Sequence, residues 1–137
     1  MSNLPTTIVL LDPSSPDGET ALELLDSIDD HIALVVMLGG AGAQSLRDFA
    51  AAERIDVATA GWIYLDQVTE RLAYTGYHIQ AITASGADAL AELADLAANT
   101  VTRRVLLPAA FPDVARKSLA ARVSAPVIVA EVPAFSK

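Results

Sequence analysis

Thr7-Ile8-Val9-Leu10-Leu11, closed by Asp12-Pro13, decides how this chain is read. The run is short, β-branched and apolar at successive positions, so both of its faces need cover. A run of that kind, ended by a turn signal, is a buried strand. Strands apolar on both faces belong to parallel sheets clad by helices on either side. Downstream, Ser14-Ser15-Pro16-Asp17 supplies a Ser cap, a Pro in the first turn and an acid near the positive helix end. Ala21, Leu22, Leu25 and Ile28 then recur at helical spacing until Asp29-Asp30. Ile32 to Leu38 is a second buried strand, broken by Gly39-Gly40-Ala41-Gly42. Gln44 to Arg54 reads as a helix with Leu46, Phe49 and Ala50 on one side. A longer helix is expected from Val57 to Tyr74, with Val57, Gly61, Tyr64, Leu65, Val68 and Leu72 as its stripe, and Gly76 fits a left-handed cap beyond it.

The alternation continues to the other end. Tyr77 to Thr83 is a third strand, with Ile79, Ala81 and Thr83 on one face. Ser85-Gly86 turns into a helix, Ala87 to Asn99, that spaces Leu90, Leu93, Ala94 and Ala97 for burial. Val101 to Leu107 is a fourth strand, and its Arg103-Arg104 pair places its beginning at solvent. Pro112-Asp113 opens a helix with Ala115, Leu119 and Val123 inside, and its cations Arg116, Lys117 and Arg122 lie toward the negative end. Pro126 to Val132 is the fifth strand. Strand and helix signals alternate throughout, which predicts a three-layer α/β/α sandwich with a five-stranded parallel sheet, one domain over residues 1–137.

Composition bounds the function. The chain is 53% hydrophobic and 19% charged, which is globular rather than disordered. With no Cys, disulfides, thiol catalysis and thiolate metal sites are excluded. A net charge of −8 makes nucleic acid and anionic membrane poor partners. Met1-Ser2-Asn3-Leu4-Pro5 has no basic stretch leading into an apolar run, and Ile32 to Leu38 is too short to span a bilayer, so a cytoplasmic protein is expected. Abundant Ala and the preference for Arg over Lys point to a GC-rich bacterial source.

Three features resemble the universal stress protein family. The first strand ends in an Asp, within Ile8-Val9-Leu10-Leu11-Asp12-Pro13-Ser14. The third runs through Ser85-Gly86-Ala87 into an Ala/Leu helix, and Leu119 to Val129 is similar to the family's closing helix and last strand. The resemblance covers nearly the whole chain. It implies a sheet order of 3-2-1-4-5, with a crevice between strands one and four at their carboxyl ends. It also implies an adenine-nucleotide site. Asp12, Pro13 and Ser14 would stand at the end of strand one, Leu38 near the end of strand two, and Pro108 to Val114, with Asp113, at the phosphates.

The phosphate segment departs from the family pattern G-x2-G-x9-G-[ST]. Pro108-Ala109-Ala110-Phe111-Pro112-Asp113 holds no Gly. Glycines let backbone N–H groups close around phosphate oxygens, and Pro has no N–H to offer. Asp113 brings an acid to the helix start that would otherwise attract an anion. The expectation is a crevice that is vestigial, with no cofactor, the alternative being weak ATP or AMP binding with slow hydrolysis. No catalytic residue is assigned: the chain has no Gly-x-Ser-x-Gly elbow and no acidic cluster with a lysine partner of the receiver type. Gly39-Gly40-Ala41-Gly42 follows strand two and does not match G-x-G-x-x-G, so it reads as a turn. His31 and His78 stand far apart in sequence with no ligand spacing, and no metal is expected. Trp62, Tyr64, Tyr74 and Tyr77 read as packing of the long helix rather than as an aromatic platform. Val127-Ile128-Val129-Ala130, apolar on both faces at a sheet edge, calls for a partner, and the family implies a homodimer through strand five. The expected function is therefore a non-catalytic regulatory or interaction protein with an unidentified protein partner.

Overall fold

A computed structural model describes residues 6–13, 31–40, 43–73, 76, 78–99, 101–108 and 111–129. The expected first helix, with Ser14 and the acids around it, lies outside the described residues, as do Tyr74, Tyr77 and Ala130. Five strands are described: β1 (Thr6–Leu11), β2 (His31–Met37), β3 (His78–Ala84), β4 (Thr102–Leu107) and β5 (Val127–Val129). Four helices are described: α1 (Gln44–Glu53), α2 (Val57–Arg71), α3 (Ala89–Ala98) and α4 (Asp113–Arg122). All strand pairings are parallel and the order is β3-β2-β1-β4-β5. The expected fold class and sheet order hold.

The sheet has a core on each side, divided by the period-two alternation of its strands. Val9 and Leu11 of β1 and Ile32, Leu34 and Val36 of β2 face α1 and α2, meeting Leu46, Leu65, Val68 and Leu72. Ile8, Leu10, Ala33, Val35 and Met37 face the other way, to Leu93 and Ala97 of α3 and Leu119 of α4. Helices following strands that step leftward thus lie on one face, and helices following steps rightward on the other, as right-handed crossovers require. The reversal falls between β1 and β4.

Local chemistry explains the element ends. Asp56 caps α2 by accepting from the Thr59 N–H at 2.6 Å. That hydrogen bond holds the Asp56 carboxyl below its usual range. Arg54, at φ 58°, ends α1 in the left-handed region. The expected stripe of α2 is buried at Gly61, Leu65, Val68 and Leu72. On α1 the reading needs correction: Leu46 and Ala50 are buried, but Phe49 is 41% exposed. Arg103 reaches solvent as expected, at a register shift where Thr6 pairs with Thr102 and Thr7 with Arg104. The extra residue is a bulge. It also aims Arg104 Nε at Thr7 Oγ1, 3.3 Å away, which satisfies the buried hydroxyl.

Candidate functional site

The carboxyl ends of β1 and β4 flank a cavity of about 500 Å³. Its position follows from topology: where crossovers reverse, the loops above adjacent strands part and leave a crevice. Leu10, Leu11 and Asp12 line it from β1, and Met37, Gly39 and Gly40 from the end of β2. Gln44 and Ser45 of α1, Gly86 and Ala89 of the α3 entry, and Pro108, Phe111 and Pro112 after β4 complete the wall. Of the residues expected there, Asp12 lines the cavity. Leu38 does not. Its side chain packs in the first core, where Gly61 leaves it room: a Cβ on Gly61 would stand 2.7 Å from Leu38 Cδ2. Pro13 and Asp113 are not among the lining residues either, and Ser14 lies outside the described residues.

The loop after β4 folds inward on itself. Phe111 N–H donates to Pro108 O at 2.9 Å, and Pro112 precedes the first turn of α4. Asp113 turns to the cations of its own helix, bonding to Arg116 and standing 3.4 Å from Lys117. The hydrogen bonds from Arg116 and Lys117 hold its carboxyl below the usual range. Among the described residues, this loop offers the cavity two prolines and a phenyl ring.

The loops after β2 and β3 are locked by backbone contact. Leu38 N–H donates to Ala84 O at 2.8 Å. Beyond it, Gly39 and Gly86 cross with no space for a side chain on either. A Cβ on Gly86 would meet Gly39 O at 2.5 Å, and one on Gly39 would meet Ser85 O at 2.7 Å. Arg47 steadies the β2 side by donating to Gly40 O at 3.0 Å and to Gln44 Oε1 at 2.9 Å.

On the β3 side a turn of backbone donors is filled from within. The Glu92 carboxylate accepts from Ser85 N at 2.7 Å, Ser85 Oγ at 2.9 Å, Gly86 N at 3.0 Å and Asp88 N at 3.2 Å. Partial burial pushes the Glu92 carboxyl up, but the bonds from the Ser85 hydroxyl and the three backbone groups outweigh it and hold the group below its ordinary value near 4.5. A carboxyl held low in the fold stabilises fully above that ordinary value and loses its contribution as pH falls through the folded one. Glu92→Ala is expected to cost about 1–2 kcal/mol at pH 7. The deficit should be smaller in acid than at pH 7, because the native contribution is lost as pH falls from the ordinary value near 4.5 through the lower folded one. Urea unfolding at both pH values measures it, and an equal deficit at both would mean that packing rather than charge sets the effect.

Among the described residues the lining holds one carboxylate, Asp12, and the side chains of Gln44 and Ser45, with no Lys, Arg or His. Among the described residues no group of three or more His, Cys, Asp or Glu could hold a metal ion. Of the described aromatic side chains, Tyr64 packs against the first core and Trp62 is 49% exposed on α2. Sequence reading missed one arrangement, the pairing of His31 with His78, whose rings stack with centroids 4.7 Å apart. The signal was present only in the register of β2 on β3, which the linear sequence does not display.

No known family model matches the chain, and no curated protein matches it. Among solved structures it is similar to the hypothetical protein MJ0577, the subject of a structure-based assignment of biochemical function, at 10% identity and a TM-score of 0.64. That match covers 96% of this chain and 99% of the other. The likeness is one of fold, the universal-stress-protein-like arrangement. No helix among the described residues is long and apolar enough to cross a membrane.

Proposed function

We propose that this chain is a non-catalytic, universal-stress-protein-like regulatory protein whose crevice holds no nucleoside triphosphate. The observation that carries the reading is the loop after β4. It spends the Phe111 N–H on Pro108 O, lines the crevice with Pro108, Phe111 and Pro112, and turns Asp113 to Arg116 and Lys117. Among the described residues of the loop, a phosphate brought there meets two prolines and a phenyl ring, with the Phe111 N–H already engaged. Calorimetric titration with Mg-ATP tests the reading. A second reading, ATP or AMP on a remodelled loop, draws on Asp12 and on Gly39, Gly40 and the start of α1, which share the cavity wall.

Such a protein acts through partners, and the first partner we propose is a second copy. β5 is the last strand of the sheet, and Ile128 on it remains 43% exposed. Two such edges pairing antiparallel about a two-fold axis would each satisfy the other's backbone groups. Ile128→Lys is expected to shift the protein from dimer to monomer in sedimentation velocity at micromolar concentration. A wild-type chain that already sediments as a monomer would remove this assembly from consideration.

A further inference from the structure

We propose that His31 and His78 form a binding site for an imidazole-preferring divalent ion of the nickel, copper and zinc class, at the end of the sheet opposite the crevice. The chain has two histidines in 137 residues, and the fold places them at one register position of neighbouring strands. His31 opens β2 and His78 opens β3, and the two pair directly. Their parity is that of Ala33, Val35 and Met37 on β2 and of Ile82 and Ala84 on β3, so both rings lie on the face that carries α3.

The stack is a product of the sheet. Parallel strands stand about 4.8 Å apart, and in-register residues on one face inherit that spacing. The ring centroids are 4.7 Å apart and the planes differ by 22°. Two nitrogens bound to one ion at about 2.0–2.1 Å each stand roughly 3 Å apart. The rings therefore need to pivot together at one edge, about bonds that are free to turn, while the backbone stays in place. His78 is exposed and His31 partly so, which leaves water to fill the remaining coordination positions. Imidazole nitrogen is a ligand that nickel, copper and zinc favour over magnesium or calcium. Two strands joined through one ion would also tie the edge strand β3 to its neighbour.

The probe is Ni(II) alone, titrated into untagged full-length protein at pH 7.5 by calorimetry. Binding of one ion per chain is expected, weakened at least about tenfold in His31→Gln and in His78→Gln alike. Circular dichroism shows whether each variant is folded. Carbethoxylation of both rings with diethyl pyrocarbonate in the native protein gives the same expected loss without any substitution. A loss in only one variant would overturn the paired site in favour of a single-histidine contact. Unchanged binding in both variants, or no saturable binding by the wild type at millimolar Ni(II), would overturn it outright.

Discussion

Titrated with Mg-ATP, the protein is expected to show no saturable heat below the millimolar range. A triphosphate needs several donors from the loop after β4. Each missing hydrogen bond to a charged group forfeits about 1.5–3 kcal/mol. Two or three of them amount to about 3–9 kcal/mol, or roughly two to six orders of magnitude in affinity. The loop's described N–H at Phe111 is engaged by Pro108 O, and Pro112 has none to give. Faint adenosine binding is compatible with this outcome, because Asp12 and the apolar Leu10, Leu11 and Met37 of the cavity wall belong to other strand ends than the phosphate segment. A dissociation constant below about ten micromolar would contradict it. It would direct attention to Gly39, Gly40 and the start of α1 as the source of donors.

The second large effect is expected at the crossing of the β2 and β3 loops. Gly86→Ala should destabilise the fold by about 2–5 kcal/mol. About 1–2 of that comes from forcing a side chain at φ +81°. About 1–3 more comes from displacing backbone that stands 2.5 Å from the new Cβ and has no flexible end to yield. Gly40→Ala is the control. It shares the left-handed conformation, at φ +82°, but its Cβ would lie 3.7 Å from the Gly86 backbone oxygen, an ordinary contact. Only the conformational part, about 1–2 kcal/mol, is expected there. Urea midpoints of the two variants separate the terms. Equal losses would mean that the loops part easily and that the crossing is not a lock.

The parts legible in the sequence are those set by local pattern. Thr7 to Leu11 and Ile32 to Leu38 read as buried strands because both of their faces are apolar, and both faces are indeed covered. The stripe of α2 was legible because 3.6-residue spacing is a property of neighbouring residues. Arg103-Arg104 announced a solvent-facing start to β4, yet not the bulge, because a bulge is a relation between two strands. The site was legible only in outline. Asp12 reached the crevice because strand ends must lie there. Leu38 continues the alternation of Ile32, Leu34 and Val36 into the first core, and Met37, of the other parity, lines the crevice instead. Asp113 answered to Arg116 and Lys117, the helical neighbours three and four residues on, rather than to the crevice. The crossing of Gly39 with Gly86 and the stacking of His31 on His78 join residues remote in sequence and carry no local signature.

The bond between Thr7 and Arg104 joins residues 97 apart. β1 sits between β2 and β4, so one of its flanks waits for a partner from the far part of the chain. On the ribosome, at about 5–20 residues per second, that wait lasts roughly 5–20 seconds. Throughout it, one edge of a strand that is apolar from Ile8 to Leu11 has no native neighbour. The central strand of the finished protein is thus the most vulnerable strand of the nascent one. A pause in translation before Thr102 would lengthen the exposure, and shortage of chaperone should be felt there before anywhere else in the chain.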